Sequence, residues 1–137
     1  MPKAEHDPET RTKKGRSVLV ADDSPLVRRI VCTALASDGF DVCGEANDGH
    51  EAIKLAEKFC PDLIILDLSM PVINGIQAAP VLRKVVPECR IILFTIHANN
   101  VLEQQVQKIE VDAVLSKAEP LSDLLKKAHN LVDEKRA

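Results

Sequence analysis

Asp62-Leu63-Ile64-Ile65-Leu66-Asp67-Leu68-Ser69-Met70-Pro71 is the stretch whose reading decides the fold. Four aliphatic residues in a row, the middle two β-branched, run directly into an acid. An apolar run this short, closed by Pro61 on one side and Pro71 on the other, reads as a strand buried on both faces. Pro71 forces the chain out of the sheet, so Asp67 falls at the carboxyl end of a central strand. Open α/β sheets place their chemistry at that edge. Asp is also a common turn residue, so position alone leaves a plain capping role open.

Working outward, the same pattern recurs. Ser17-Val18-Leu19-Val20-Ala21 is a second buried run, and it ends in Asp22-Asp23. Ser24 offers a helix N-cap and Pro25 suits the first turn. Val27, Ile30, Val31, Ala34 and Leu35 then give a core-facing stripe as far as Ser37, and Asp38-Gly39 stops the helix. A short strand follows over Asp41–Glu45, then an Asn47-Asp48-Gly49 turn and a helix from about His50 through Phe59. Beyond the central strand, Asn74-Gly75 leads into a helix carrying Ile76, Ala79, Leu82 and Val86. Pro80 lies inside it and predicts a bend or a late start. Arg90-Ile91-Ile92-Leu93-Phe94-Thr95 is a fourth strand. A helix capped by Asn99 or Asn100 carries a narrow stripe of Val101, Leu102, Val106 and Ile109. Asp112–Ser116 is a fifth strand ending in Lys117, and a last helix begins near Pro120 with Leu121, Leu124, Leu125, Ala128, Leu131 and Val132 on one face.

Five strands alternating with five helices predict an α/β fold: a doubly wound, five-stranded parallel sheet in the order 2-1-3-4-5, flavodoxin-like. One domain is expected for 137 residues, spanning 17–134. Residues 1–16 hold five basic and three acidic side chains with almost nothing apolar. They read as a flexible tail, with a basic docking arm as the alternative. Residues 135–137 are a terminal tail or the start of a linker.

A formal charge of −3 excludes the basic footprint of a dedicated nucleic-acid binder. Phe40, Phe59 and Phe94 are the only aromatic residues, which argues against a stacking platform for bases or a flavin. No apolar run approaches the roughly 18 residues of a membrane span, and the N-terminus is not signal-like, so a cytoplasmic location is expected. Cys32, Cys43, Cys60 and Cys89 form no CxxC pair. They read as reduced, half-buried packing residues.

The strand ends bring Asp22, Asp23, Asp67, Thr95 and Lys117 to one edge of the sheet. Three carboxylates held together raise their pKa values or demand a cation. Magnesium fits, because it takes one or two carboxylates, keeps several waters and leaves positions for phosphate oxygens. With an ammonium from Lys117 and a hydroxyl from Thr95, the edge suits a phosphoryl group, and Asp67 is the nucleophile that would receive it.

This constellation resembles the receiver domain of two-component response regulators. The resemblance rests on Asp22-Asp23, on Asp67-Leu68-Ser69-Met70-Pro71 followed by Gly75, on Thr95 and on Lys117, and covers about Ser17 to Val132. It implies that Asp67 accepts a phosphoryl group from a histidine of a sensor kinase or phosphotransfer protein. It also implies that Asp23 and Asp67 ligate Mg2+ directly, Asp22 partly through water, and the Ser69 backbone carbonyl as a further ligand. Lys117 would pair with the phosphoryl oxygens, and Thr95 would move to hydrogen-bond them. The kinase is expected at the active-site edge, against Pro25-Leu26 and Arg28-Arg29. Output to an effector domain, or homodimerisation, is expected on the face formed by residues 99–132, with no direct nucleic-acid or membrane binding and no enzymatic turnover of a separate substrate.

Some positions depart from the family pattern. Val114 stands where an aromatic switch residue is frequent. Ile96 follows Thr95 where a small residue is usual, and is expected to narrow access to Asp67. Ala118 replaces a frequent proline, so a cis peptide is not expected there. Together with Val42-Cys43-Gly44-Glu45-Ala46 and Leu124-Leu125, that feature looks like the NarL/LuxR-type subfamily, whose members carry a C-terminal helix-turn-helix. Ser69, Ile96 and His97 are candidates for tuning phosphoryl lifetime, with a solvated loop residue as the alternative for His97. A haloacid-dehalogenase-type phosphatase would need a second acid where Ser69 stands. A receiver-like module that binds partners without phosphate is the other alternative.

Overall fold

The computed structural model describes residues 16–96, 98, 102, 104, 105, 107 and 111–134. In chain order the elements are β1 (Ser17–Ala21), α1 (Pro25–Ser37), β2 (Asp41–Ala46), α2 (Gly49–Phe59), β3 (Leu63–Leu66), α3 (Gly75–Val85), β4 (Arg90–Thr95), β5 (Ala113–Ser116) and α4 (Leu121–Glu134). The strands form one parallel sheet in the order β2-β1-β3-β4-β5. Four helices lie among the described residues; the helix expected from Asn99 falls largely outside them, although Leu102 is buried against the core.

Side-chain alternation explains why the strands read as unbroken apolar runs. Leu19, Ala21, Ile64, Leu66, Ile91 and Leu93 point to one face, where they pack with Ala52 and Ala56 of α2 and Ala78, Ala79 and Leu82 of α3. Val18, Val20, Leu63, Ile65, Ile92 and Phe94 point to the other, against Val31 and Leu35 of α1 and Leu124, Ala128, Leu131 and Val132 of α4. A half-covered sheet would expose one of these sets. Each fully buried Leu or Ile contributes roughly 1.5–3 kcal/mol, so covering both faces is what stabilises the domain.

Local chemistry sets the helix starts. Ser24 caps α1 by accepting from the Val27 N–H at 3.2 Å, with Pro25 at the first position. Asp48 caps α2 through the Glu51 N–H at 2.7 Å. Asn74 and Gln77 form a reciprocal capping box on α3. That box explains why α3 begins at Gly75 rather than late. Pro80 is accommodated inside the helix on its exposed side, where the Ile76 carbonyl loses its partner.

Other expectations need adjusting. Ile30 is 49 % exposed and Phe59 41 %, so the buried stripes of α1 and α2 are narrower than their apolar positions suggest. Cys60 ends α2 in a left-handed conformation and is exposed, whereas Cys89, flanked by two charged residues, is the buried cysteine. All four thiols are free, and no peptide bond among the described residues is cis.

Candidate functional site

Strand register builds the site. Ala21 of β1 lies opposite Leu66 of β3, so the next residues, Asp22 and Asp67, are neighbours; the Asp67 N–H donates to the Ala21 carbonyl at 2.9 Å. On the far side, Thr95 pairs with Ser116, and the Lys117 N–H donates to the Thr95 carbonyl at 2.9 Å. Asp22, Asp67 and Thr95 are the buried polar residues of the described chain. One carboxylate oxygen from each of Asp22, Asp23 and Asp67 lies within 4.8 Å of the others. The predicted acids are thus brought together, with Asp23 as the exposed member.

Two adjacent loops complete the rim. After Asp67 the chain passes Ser69, whose side chain is exposed and whose N–H faces Asp67 Oδ1 at a long 3.4 Å. It then turns tightly at Val72, which has φ 69° while the Ile73 N–H reaches back to the Pro71 carbonyl at 2.8 Å. The N-terminus of α3 packs so closely on this segment that a Cβ at Gly75 would lie 2.4 Å from the Asp67 carbonyl oxygen. Ile96 is 70 % exposed beside buried Thr95. His97 lies outside the described residues.

Lys117 is the local counter-charge. Its Nζ donates to Asp22 Oδ2 at 2.6 Å and lies 3.3 Å from Asp67 Oδ1 and 5.9 Å from the centre of the Phe94 ring. Asp22 Oδ1 also accepts from the Ser24 N–H at 2.9 Å. Burial, followed by repulsion from Asp22, raises the Asp67 pKa above the ordinary carboxylate value, and Lys117 offsets only part of this. Burial pulls the Lys117 pKa down, but its hydrogen bond to Asp22 and the charges of Asp67 and Asp22 outweigh that and leave it raised. Three acids against one ammonium leave the cluster short of positive charge. Oxygen-only donors, a negative excess and one solvent-facing carboxylate fit a hard divalent cation.

Sequence reasoning missed one participant. Arg28 of α1 donates from Nη1 to the Asp22 carbonyl at 2.6 Å and from Nε to Glu45 at 3.0 Å. Arg28 and Arg29 look alike in the sequence. A turn of helix beyond an N-cap is nonetheless a position from which a long side chain can reach back to the strand end, and that was the available signal.

With this geometry in view, the comparisons with known proteins are decisive. The model of the response regulator receiver domain family matches residues 18–129. The chain belongs to this family. It is 36 % identical over 112 residues to the transcriptional regulatory protein PdtaR of Mycobacterium tuberculosis, covering 80 % of this chain and 53 % of that protein. It is likewise 36 % identical over 115 residues to the nitrate/nitrite response regulator protein NarL of Escherichia coli, covering 82 % and 53 %. Among solved structures, the signal receiver domain of the response regulator NarL from Mycobacterium tuberculosis superposes with a TM-score of 0.80 at 30 % identity, covering 85 % of this chain and 95 % of that one. This receiver domain therefore spans about half the length of these two curated relatives. No described helix is long and apolar enough to cross a membrane.

Proposed function

We propose that this receiver domain, taken as residues 17–134, accepts a phosphoryl group on Asp67 from a phosphohistidine of a sensor histidine kinase or phosphotransfer protein in the cytoplasm. The observation that carries the reading is the approach of the three carboxylates within 4.8 Å, with Lys117 bonded into the same cluster. Asp22, Asp23, Asp67 and the Ser69 backbone carbonyl are the groups that would hold Mg2+. When bound, the ion supplies charge neutralisation for the acids and for the incoming phosphoryl oxygens.

In the transfer an Asp67 carboxylate oxygen forms the new O–P bond as the N–P bond to the donor imidazole breaks. The bonding pair returns to that nitrogen, which takes up a proton. Lys117 pairs with the phosphoryl oxygens as its hold on Asp67 loosens. Thr95, buried at the end of β4, would donate its hydroxyl to the same group and draw on the segment that follows it. Val114 is not aromatic, so the readout relies on Thr95 and the residues from 99 onward rather than on a rotating ring. The output face, toward an effector domain or a second copy, would be formed by residues 99–132. Ser69, Ile96 and His97 are the positions that would set phosphoryl lifetime. For the donor, exposed Leu26 and Ile30 stand one turn apart on α1 beside the acidic edge, with exposed Arg29 between them. They offer apolar contact and charge to a partner helix.

Intact-mass measurement after incubation with acetyl phosphate and Mg2+ tests the reading. A reversible gain of one phosphoryl unit is expected in the native protein and not in Asp67→Ala. Equal labelling of both, or labelling of neither, overturns it.

A further inference from the structure

Arg28 is an unusual surface arginine. Its side chain is 17 % exposed and joins the carboxyl ends of two strands, through the Asp22 carbonyl after β1 and the Glu45 carboxylate on β2. The carbonyl it holds belongs to the peptide joining Asp22 to Asp23, so fixing that plane fixes the backbone from which both acids project. The other groups of the turn are held as well: the Asp22 N–H donates to the Ala46 carbonyl at 3.0 Å and the Ser24 N–H to Asp22 Oδ1 at 2.9 Å. Without Arg28, the Asp22 carbonyl keeps no other partner among these contacts.

Glu45 has the complementary part. A guanidinium forms its best contacts with carboxylates in a fork, and the acids lie within a few residues of this one. Bonding Arg28 Nε to Glu45 turns the fork toward β2, leaving Nη1 for the carbonyl. The Cys32 thiol faces the same carboxylate, and burial together with Glu45 pushes its pKa up to about 11. Among the described residues, the Glu45 carboxylate is thus held from α1, by Arg28 and Cys32.

We propose that Arg28 is a positioning residue for the acidic cluster, clamping the Asp22–Asp23 peptide to the end of β2 while Glu45 keeps its charge off the metal-binding carboxylates. This rests on the Mg2+ reading above and adds a residue to it. The proposal makes an unexpected sign. Arg28 is a cation beside a cation site, so if it acted only through its charge, removing it would tighten Mg2+ binding. If it positions the acids, removing it weakens binding.

The test is calorimetric Mg2+ titration of native protein, Arg28→Gln, Arg28→Lys and Glu45→Gln, with amide hydrogen exchange of the metal-free proteins by NMR. Arg28→Gln is expected to bind Mg2+ about tenfold more weakly, the low end of what outer-shell partners contribute. Its Ser24 amide should exchange faster while the β3 and β4 amides keep native protection, which shows that the fold is intact. Arg28→Lys restores a charged donor to the carbonyl and should recover part of the affinity. Glu45→Gln should weaken binding severalfold by releasing the guanidinium toward the acids. Unchanged or tighter Mg2+ binding by Arg28→Gln overturns the positioning role. Absence of Mg2+ uptake by the native protein instead overturns the metal reading on which it rests, so the two failures are told apart.

Discussion

Val72 is a β-branched residue at φ 69°, a backbone region that L-residues other than Asn and Gly seldom enter. The Ile73 N–H bond back to the Pro71 carbonyl closes a γ-turn about Val72, and the positive-φ form of this turn is strained by roughly 1–2 kcal/mol for a residue with a Cβ. The turn is retained because its surroundings determine it: the Ile73 N–H bonds to the Pro71 carbonyl, Asn74 caps α3, and the α2 terminus at Gly49 abuts the Ile73 carbonyl. Val72→Asn should recover much of that penalty, since Asn is among the L-residues enriched several-fold at positive φ. The loss is small, because Val72 is 76 % exposed and burial of the remaining quarter of a valine contributes roughly 0.5 kcal/mol. The expected net gain is roughly 0.5–1 kcal/mol, or about 2–4 °C in Tm for a domain of this size. Urea unfolding followed by far-UV circular dichroism in metal-free buffer measures it, the chain having no Trp or Tyr to report by fluorescence. Val72→Ala serves as the control, because it keeps the positive-φ penalty. A Val72→Asn protein no more stable than native, or an Ala variant that gains as much as Asn, would refute the strain argument.

The remaining expectations concern the acids and their nearest glycine. Asp67 has a raised folded-state pKa, so its contribution favours the fold below the unfolded pKa and is lost as pH rises through the folded one. Metal-free Asp67→Asn should therefore be more stable than native at neutral pH, with the difference shrinking toward zero as pH falls to about 4; a constant difference from pH 4 to 7 argues against it. Over the same range Mg2+ affinity of the native protein should fall as pH drops, because protons compete for the same carboxylate, and titration calorimetry at several pH values would follow it. Gly75→Ala places a methyl 2.4 Å from the Asp67 carbonyl oxygen and should cost about 1–3 kcal/mol in urea unfolding. Native stability in that variant would mean that α3 and the Asp67 loop are free to separate.

Much of this domain was readable because buried parallel strands advertise themselves. Leu63–Leu66 and Arg90–Thr95 have the predicted limits, and the sheet order followed from the alternation of short apolar runs with helical crossovers. Which face each strand residue serves follows from period two once one residue is placed, but nothing in an all-apolar run indicates the first placement. Helix stripes were less legible. Ile30 and Phe59 are apolar by composition and exposed by position, because the sheet covers an arc narrower than the full apolar set. Cys32 and Cys43 are half-buried as expected, but Cys60 is exposed at the end of α2 and Cys89 is fully buried in the cluster that holds Leu82, Val86, Ile91 and Leu93. The conformation of Val72 left no trace at all, since valine is the wrong residue to suggest it.

The site shows where sequence reasoning ends and geometry begins. Strand ends nominate Asp22 and Asp67 equally, since both are acids following an apolar run. The structure separates them by their partners. Asp22 accepts from Lys117 at 2.6 Å and from the Ser24 N–H at 2.9 Å, so both its oxygens are engaged by short bonds. Among the described residues, Asp67 has only long contacts, 3.3 Å from Lys117 and 3.4 Å from the Ser69 N–H, and both fall on Oδ1. Of the two buried acids, Asp67 is therefore the less compensated, and its Oδ2 is the oxygen without a short donor among these contacts. A carboxylate oxygen tied up by strong donors is a poor nucleophile, whereas one kept short of them attacks an electrophile with less to give up. The partition of a single ammonium between two acids thus supports Asp67 over Asp22 as the proposed phosphoryl acceptor. Lys117, 95 residues from Asp22 in sequence, follows the edge strand β5. From there Nζ reaches across β4 to the acids at the β1 and β3 ends, and under the proposed function it would follow the new negative charge on Asp67.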